Sequence, residues 1–276
     1  MLTFLCDLDG VIYRDREPVP GAAPTIAALR AAGHRVLFAT NNGTSRREEF
    51  VARLAQVGVP ATIEELGTSG YATTQYLRTL PRPPARVLVI GAEALRAELE
   101  AGGLHALLAP LPDGARIAPD HVPDCVVVSL DRQFTFQKLA QAQQAVLHGA
   151  LLVATNRDPQ FPGADGIYPG AGSIVAAVET ACQQQAIAIG KPEPLLYQML
   201  LQATGADLAR TIVVGDNLQT DIAAAAAMDL PSVLVLTGVS RREDVAHAPA
   251  KPTLVVQTLP ELLTYDLESL IRRPAR

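Results

Sequence analysis

Short apolar runs alternate with Ala- and Leu-rich stretches along the whole chain. The apolar runs stand at 4–6, 36–39, 87–90, 125–129, 151–154, 186–189, 211–214 and 232–236. Near-continuous runs of this length suit central strands of a parallel sheet covered on both faces. Between them, helical spacing marks 22–32, 45–57, 92–101, 136–147, 172–182, 193–203 and 218–227. Strand–helix–strand alternation predicts an α/β protein with a doubly wound, Rossmann-like parallel sheet. In such sheets chemistry sits just past the carboxyl ends of strands. The places to search are therefore 7–10, 40–44, 91, 129–132, 155–158, 190–192 and 215–221.

Composition narrows the classes. Of 276 residues, 49 % are hydrophobic and 18 % charged, enough to build a core, so global disorder is excluded. Lys and Arg number 23 against 28 Asp and Glu, a net charge of -5, which argues against nucleic acid or an anionic membrane as partner. Cys6, Cys125 and Cys182 are widely spaced and odd in number, so a disulfide framework is not expected and buried thiols are. No apolar run is long enough to span a membrane. Asp7 and Asp9 interrupt the first apolar run too early for a signal peptide, so a cytoplasmic protein is expected. The segment Leu80-Pro81-Arg82-Pro83-Pro84 reads as a stiff linker and places a domain boundary near residue 80. The return boundary falls around 175–185, and the tail 272–276 is expected to fray.

Four clusters at strand ends carry the chemistry. Asp7-Leu8-Asp9-Gly10 sets two carboxylates on the same side of an extended segment. Their repulsion calls either for a divalent metal or for a proton held by one of them; an Asp-Gly turn is the plainer reading. Thr40-Asn41-Asn42-Gly43-Thr44 offers a hydroxyl, amides and free N–H groups to an anionic oxygen, or only a turn and a helix cap. Gly190-Lys191-Pro192 offers a point charge for phosphate, or a solvated Lys in a turn; it is no Walker loop, because Pro192 stands where Ser or Thr belongs. Gly215-Asp216 through Asp221 adds two more carboxylates, as hard metal ligands or as helix caps.

The ordered set of Asp pair, Thr-Asn, Lys and Asp pair resembles the four motifs of the haloacid dehalogenase-like phosphatase superfamily. The resemblance covers essentially the whole chain. From Thr40 to Lys191 the chain runs 151 positions, more than a sheet layer needs, so a domain is inserted there. The family places its type-2 cap at that point. Ala154-Thr155-Asn156-Arg157-Asp158-Pro159, Pro169-Gly170-Ala171-Gly172-Ser173-Ile174 and Leu236-Thr237-Gly238-Val239 look like the branch holding nagD-type, 4-nitrophenyl, phosphoglycolate and pyridoxal phosphate phosphatases.

The resemblance implies a catalytic core over 1–80 and 182–276 and a cap over 81–181. It implies Asp7 as nucleophile, forming an aspartyl-phosphate, and Asp9 as general acid and base. It implies Mg²⁺ held by Asp7, the main-chain carbonyl of Asp9 and Asp216, with Asp221 orienting the metal or Lys191. Thr40, Asn41 and Lys191 would gather phosphoryl oxygens. Asn156 and Asp158 are the cap residues expected to face the leaving group, with Arg132 and Arg157 available to a second anionic group. The expected activity is Mg²⁺-dependent hydrolysis of a small phosphorylated metabolite, with a homodimer formed through the cap. A phosphotransferase or mutase on the same scaffold, and a phosphometabolite-binding protein with vestigial catalysis, are the alternatives.

Overall fold

The protein is described from a computed structural model over residues 1–112, 114, 117–118, 121–163 and 166–271; the tail 272–276 lies outside the described residues. The chain divides into two units. One comprises Met1–Thr40, Arg47–Gly67 and Lys191–Arg276; the other comprises Asn41–Arg46 and Thr68–Gly190.

The first unit is built on a six-stranded sheet. Its strands are β1 (Thr3–Cys6), β4 (Arg35–Thr40), β5 (Leu66–Thr68), β13 (Thr211–Gly215), β14 (Ser232–Val235) and β15 (Leu254–Val256), in the spatial order β15-β14-β13-β1-β4-β5. Counted within the unit this is the Rossmann order 3-2-1-4-5-6, whose reversal point lies between β1 and β13. β1 runs parallel to both neighbours, with Cys6 opposite Val214 on one side and Phe38 on the other. A small hairpin of β2 (Tyr13–Arg14) and β3 (Glu17–Pro18) follows the first strand.

Apolar residues on one face of this sheet make the larger core. Phe4 and Cys6 of β1, Val36 and Phe38 of β4, and Ile212 and Val214 of β13 pack with Ile26 and Leu29 of α1 (Ala22–Ala31) and Phe50 and Leu54 of α2 (Arg47–Gln56). Phe38 is fully buried, so truncation to Ala would cost about 3–5 kcal/mol through lost burial and the cavity left behind.

The second unit has its own sheet of β6 (Arg86–Ile90), β7 (His105–Leu108), β8 (Cys125–Val128), β9 (Leu151–Ala154) and β12 (Ile187–Ala188), ordered β12-β9-β8-β6-β7 with parallel pairing throughout. This is the flavodoxin-like order 2-1-3-4-5. Leu88, Ile90, Val126, Val128 and Leu152 pack under α5 (Phe136–Leu147) and α6 (Ala171–Cys182). Strands β10 (Gln160–Gly163) and β11 (Gly166–Pro169) form a separate antiparallel hairpin.

The division between units falls at 68 and 190 rather than at 81 and 181. Helix α3 (Ser69–Thr79) belongs to the second unit, because it packs on α4 (Glu93–Ala101) so closely that a methyl on Gly102 would overlap Thr74. The Pro-rich segment 80–84 thus joins a helix to a strand inside one unit. At the other end, β12 is tied to β9 by its ladder and stays in the second unit. Residues 218–227 fold as a π-type turn (Leu218–Ile222) followed by α8 (Ala223–Ala226) rather than as one α-helix, with Ile222 N–H reaching back to Asn217 O. Such turns cluster at functional sites. All three thiols are free and buried.

Candidate active site

Parallel register assembles the centre of the first unit. The N–H of Asp7 donates to Val214 O at 2.9 Å, which fixes the residue after β1 beside the end of β13. Asp7 and Asp216 therefore flank the reversal point of the strand order, and Thr40 closes β4 on the other side of β1. All three are buried.

Lys191 connects the cluster. Its Nζ donates to Asp7 Oδ1 at 2.6 Å, to Asp221 Oδ1 at 2.7 Å and to Ala39 O at 3.3 Å. Asp221 also accepts the Tyr197 hydroxyl on Oδ1 at 3.2 Å and the Asn217 N–H on Oδ2 at 3.2 Å. Gly215 makes this approach feasible, since a side chain there would overlap Asp221. Asp216 Oδ2 accepts the Val239 N–H at 2.7 Å. Carboxylate oxygens of Asp7, Asp216 and Asp221 lie within 4.8 Å of one another.

The electrostatics follow from burial. Loss of water pushes the Asp7 carboxyl well above the usual range; the Lys191 ammonium opposes this and the neighbouring carboxylates add to it. Burial pushes Asp216 up to about 7, with Asp221 adding repulsion and the Val239 N–H pulling it back. Burial works against the Lys191 charge, but Asp221 and Asp7 outweigh it and hold the ammonium protonated. Tyr197 is raised, first by burial and then by Asp221, and so stays a hydroxyl donor.

Asp9 stands apart from the cluster. Its side chain is exposed, yet the protein packed around its carboxyl raises it above the ordinary range, against the pull of Arg53 and Lys191. Gly10 beyond it has φ +78, a left-handed conformation that glycine adopts freely.

Three more expected residues meet in the second unit. Asn41 Nδ2 donates to both carboxylate oxygens of Asp158, at 3.3 and 3.1 Å, and Asn41 O accepts from Asn156 Nδ2 at 2.9 Å. The Asp158 N–H donates to Asn156 Oδ1 at 3.1 Å, an Asx turn. Arg157 is engaged with Glu179 at 3.1 and 2.6 Å, and Arg132 lies over the Phe161 ring at 5.5 Å. Sequence reasoning missed Tyr197, whose only signal is its place in α7 (Leu195–Thr204), six positions after Lys191.

The donor set fits magnesium. Three buried carboxylates stand beside the Lys191 ammonium, which pairs with Asp7 and Asp221; the surplus of negative charge is one that a cation relieves, and carboxylate oxygens are the hard donors Mg²⁺ takes. Both oxygens of Asp221 are committed to Lys191, Tyr197 and Asn217, which leaves Asp7 and Asp216 as the carboxylates for the ion.

Comparison with known proteins agrees. A family model of haloacid dehalogenase-like hydrolases matches residues 4–105, and a second, HAD-hydrolase-like model matches 188–262. The chain is 41 % identical to human chronophin over 247 residues, 87 % of this chain and 82 % of that protein. It is 37 % identical over 270 residues to glycerol-3-phosphate phosphatase of Gallus gallus, 92 % of this chain and 86 % of that one. Among solved structures, a glycerol phosphate phosphatase from Mycobacterium tuberculosis in complex with magnesium superposes with a TM-score of 0.84 at 37 % identity, over 94 % of this chain and 75 % of that chain. Matched at both ends of the fold and along nearly its full length, the chain belongs to the haloacid dehalogenase-like hydrolases.

Proposed function

We propose that the protein is a Mg²⁺-dependent phosphomonoester hydrolase for a small phosphorylated metabolite, working through an aspartyl-phosphate on Asp7. The observation that carries this reading is the meeting of Asp7, Lys191, Asp216 and Asp221 at one reversal point of a Rossmann-ordered sheet.

A carboxylate oxygen of Asp7 attacks phosphorus, and the bond to the leaving alcohol oxygen breaks as that oxygen takes the proton of Asp9. Asp9, now a carboxylate, removes a proton from water. The water oxygen attacks phosphorus, the bond to Asp7 breaks, and phosphate leaves with Asp7 and Asp9 restored. Lys191, Thr40 and Asn41 hold the phosphoryl oxygens, and Lys191 balances charge on Asp7 before substrate arrives. Asp7, Asp216 and the main-chain carbonyl of Asp9 would hold a magnesium ion, which when bound would supply positive charge against the phosphoryl oxygens.

The second unit acts as the cap that selects the leaving group, with Asn156 and Asp158 as its recognising residues. Their neighbour Asn41 joins that unit rather than the first, and hydrogen-bonds to both of them. Two copies pair through this unit, which sedimentation would reveal. Among the described residues no helix is long and apolar enough to cross a membrane, and the reading assigns the enzyme to the cytoplasm.

The test is p-nitrophenyl phosphate hydrolysis, followed by a panel of small phosphate esters. Turnover should need Mg²⁺, vanish in EDTA and vanish in Asp7→Asn. Full turnover in chelator, or in Asp7→Asn, would refute the reading.

A further inference from the structure

Segment 237–240 touches both halves of the acidic centre without contributing a carboxylate to it. Val239 N–H donates to Asp216 Oδ2 at 2.7 Å, and Ser240 N–H donates to Asp216 O at 3.0 Å. Ser240 Oγ accepts from Leu218 N–H at 2.9 Å, so the same residue also fixes the start of the π-type turn that carries Asp221. On the other side, Thr237 Oγ1 donates to Gly10 O at 2.6 Å. Thr237 O in turn accepts from Arg14 Nε at 2.7 Å, and from the Nη2 of the same guanidinium. Space is as constrained as hydrogen bonding: a methyl on Gly238 would overlap the Asp216 carboxylate, and one on Gly10 would overlap the same carboxylate and press on Gly238.

We infer that segment 237–240 is a positioning clamp for Asp216, which ties the loop after β1 to the loop after β13 and thereby sets the affinity for magnesium. The inference rests on the reading of Asp216 as a metal carboxylate. A buried carboxylate with one oxygen held by a peptide N–H and walled by two glycines has one orientation available. Hydrogen-bond partners that orient a metal's carboxylate in this way are worth about 10–100-fold in metal affinity.

The experiment is calorimetric titration of Mg²⁺ into the substrate-free protein, with a thermal melt in EDTA beside it. Gly238→Ala should weaken Mg²⁺ binding about tenfold or more. Thr237→Val should weaken it to a smaller extent and Thr237→Ser should restore it, so the inference is testable even where Gly238→Ala does not fold. The melt in EDTA separates positioning from plain structure: a merely structural role would lower that melting temperature while leaving the Mg²⁺ dissociation constant unchanged, and this outcome would overturn the clamp. Wild-type Mg²⁺ affinity in both Gly238→Ala and Thr237→Val would overturn it as well. Asp216→Asn is the control for the underlying reading. If that variant binds Mg²⁺ like the wild type, the metal assignment fails and the clamp with it; if it does not, a negative result for the loop variants counts against the clamp alone.

Discussion

The Lys191 ammonium donates to Oδ1 of Asp7 at 2.6 Å although 184 positions separate them in the chain. Each is buried; Lys191 is the main favourable partner of the Asp7 charge, while the Lys191 charge is supported first by Asp221 and then by Asp7. Replacing Lys191 by Met leaves the carboxylates of Asp7, Asp216 and Asp221 together with the ammonium gone. Removing one partner of a buried pair costs about 3–5 kcal/mol. We expect the melting temperature of Lys191→Met to fall further below wild type in EDTA than in saturating Mg²⁺, since the ion supplies part of the missing positive charge. Equal losses in the two buffers would contradict this.

Asp9 should matter in proportion to how badly the leaving group needs a proton. Its raised carboxyl suits proton donation. Asp9→Asn is expected to lose about 10²–10⁴-fold in kcat on an alkyl phosphate. The loss should be smaller on p-nitrophenyl phosphate, whose leaving group departs readily as an anion. Steady-state kinetics on the two esters checks the contrast, and an equal loss on both would remove Asp9 from the proton-transfer step.

Tyr197 is tied to the centre by its hydrogen bond to Asp221, at 3.2 Å. Tyr197→Phe keeps the ring and removes one hydrogen bond, worth about 0.5–1.5 kcal/mol. A fall in kcat/KM of about tenfold or less is expected, far milder than the loss from Lys191→Met. A hundredfold fall in kcat/KM would mean that the hydroxyl acts on substrate directly.

Glu179 gives the second unit an acid-sensitive tie. Burial tends to raise its carboxyl, but the Arg157 guanidinium and the Ala186 N–H together outweigh that and hold it below the ordinary value of 4.5. A group depressed on folding adds stability above its unfolded value, and the contribution disappears as pH falls through the folded value. Glu179→Gln should therefore destabilise by about 1–3 kcal/mol at neutral pH. The difference should shrink below about pH 4.5. Urea denaturation of both proteins across that range is the measurement.

The eight apolar runs all appear as strands, and the strands that the pattern misses in the two large sheets share one property. β5, β7 and β15 are edge strands. A central strand is buried on both faces and must be apolar throughout; an edge strand has one covered flank and tolerates sequences such as Leu66-Gly67-Thr68 or His105-Ala106-Leu107-Leu108. Asp7, Lys191, Asp216 and Asp221 were legible because each follows or adjoins an apolar run whose carboxyl end the fold rule singles out. Gly238 and Ser240 were not readable as parts of the centre, because their contribution is space and peptide N–H direction, which side-chain chemistry does not announce. The units divide away from the Pro-rich segment for a related reason: proline content marks stiffness, whereas membership of a unit is decided by packing such as that of α3 on α4.

Cys6 directly precedes Asp7, and burial pushes its thiol up to about 12, with the Asp7 charge adding to the shift. Cys125 is likewise pushed up to about 12, and Cys182 is raised by burial too. Alkylating agents and peroxide attack the thiolate, and these side chains present almost none at neutral pH. The proposed chemistry uses a carboxylate that such reagents leave alone, so thiol-directed reagents at neutral pH should leave turnover intact.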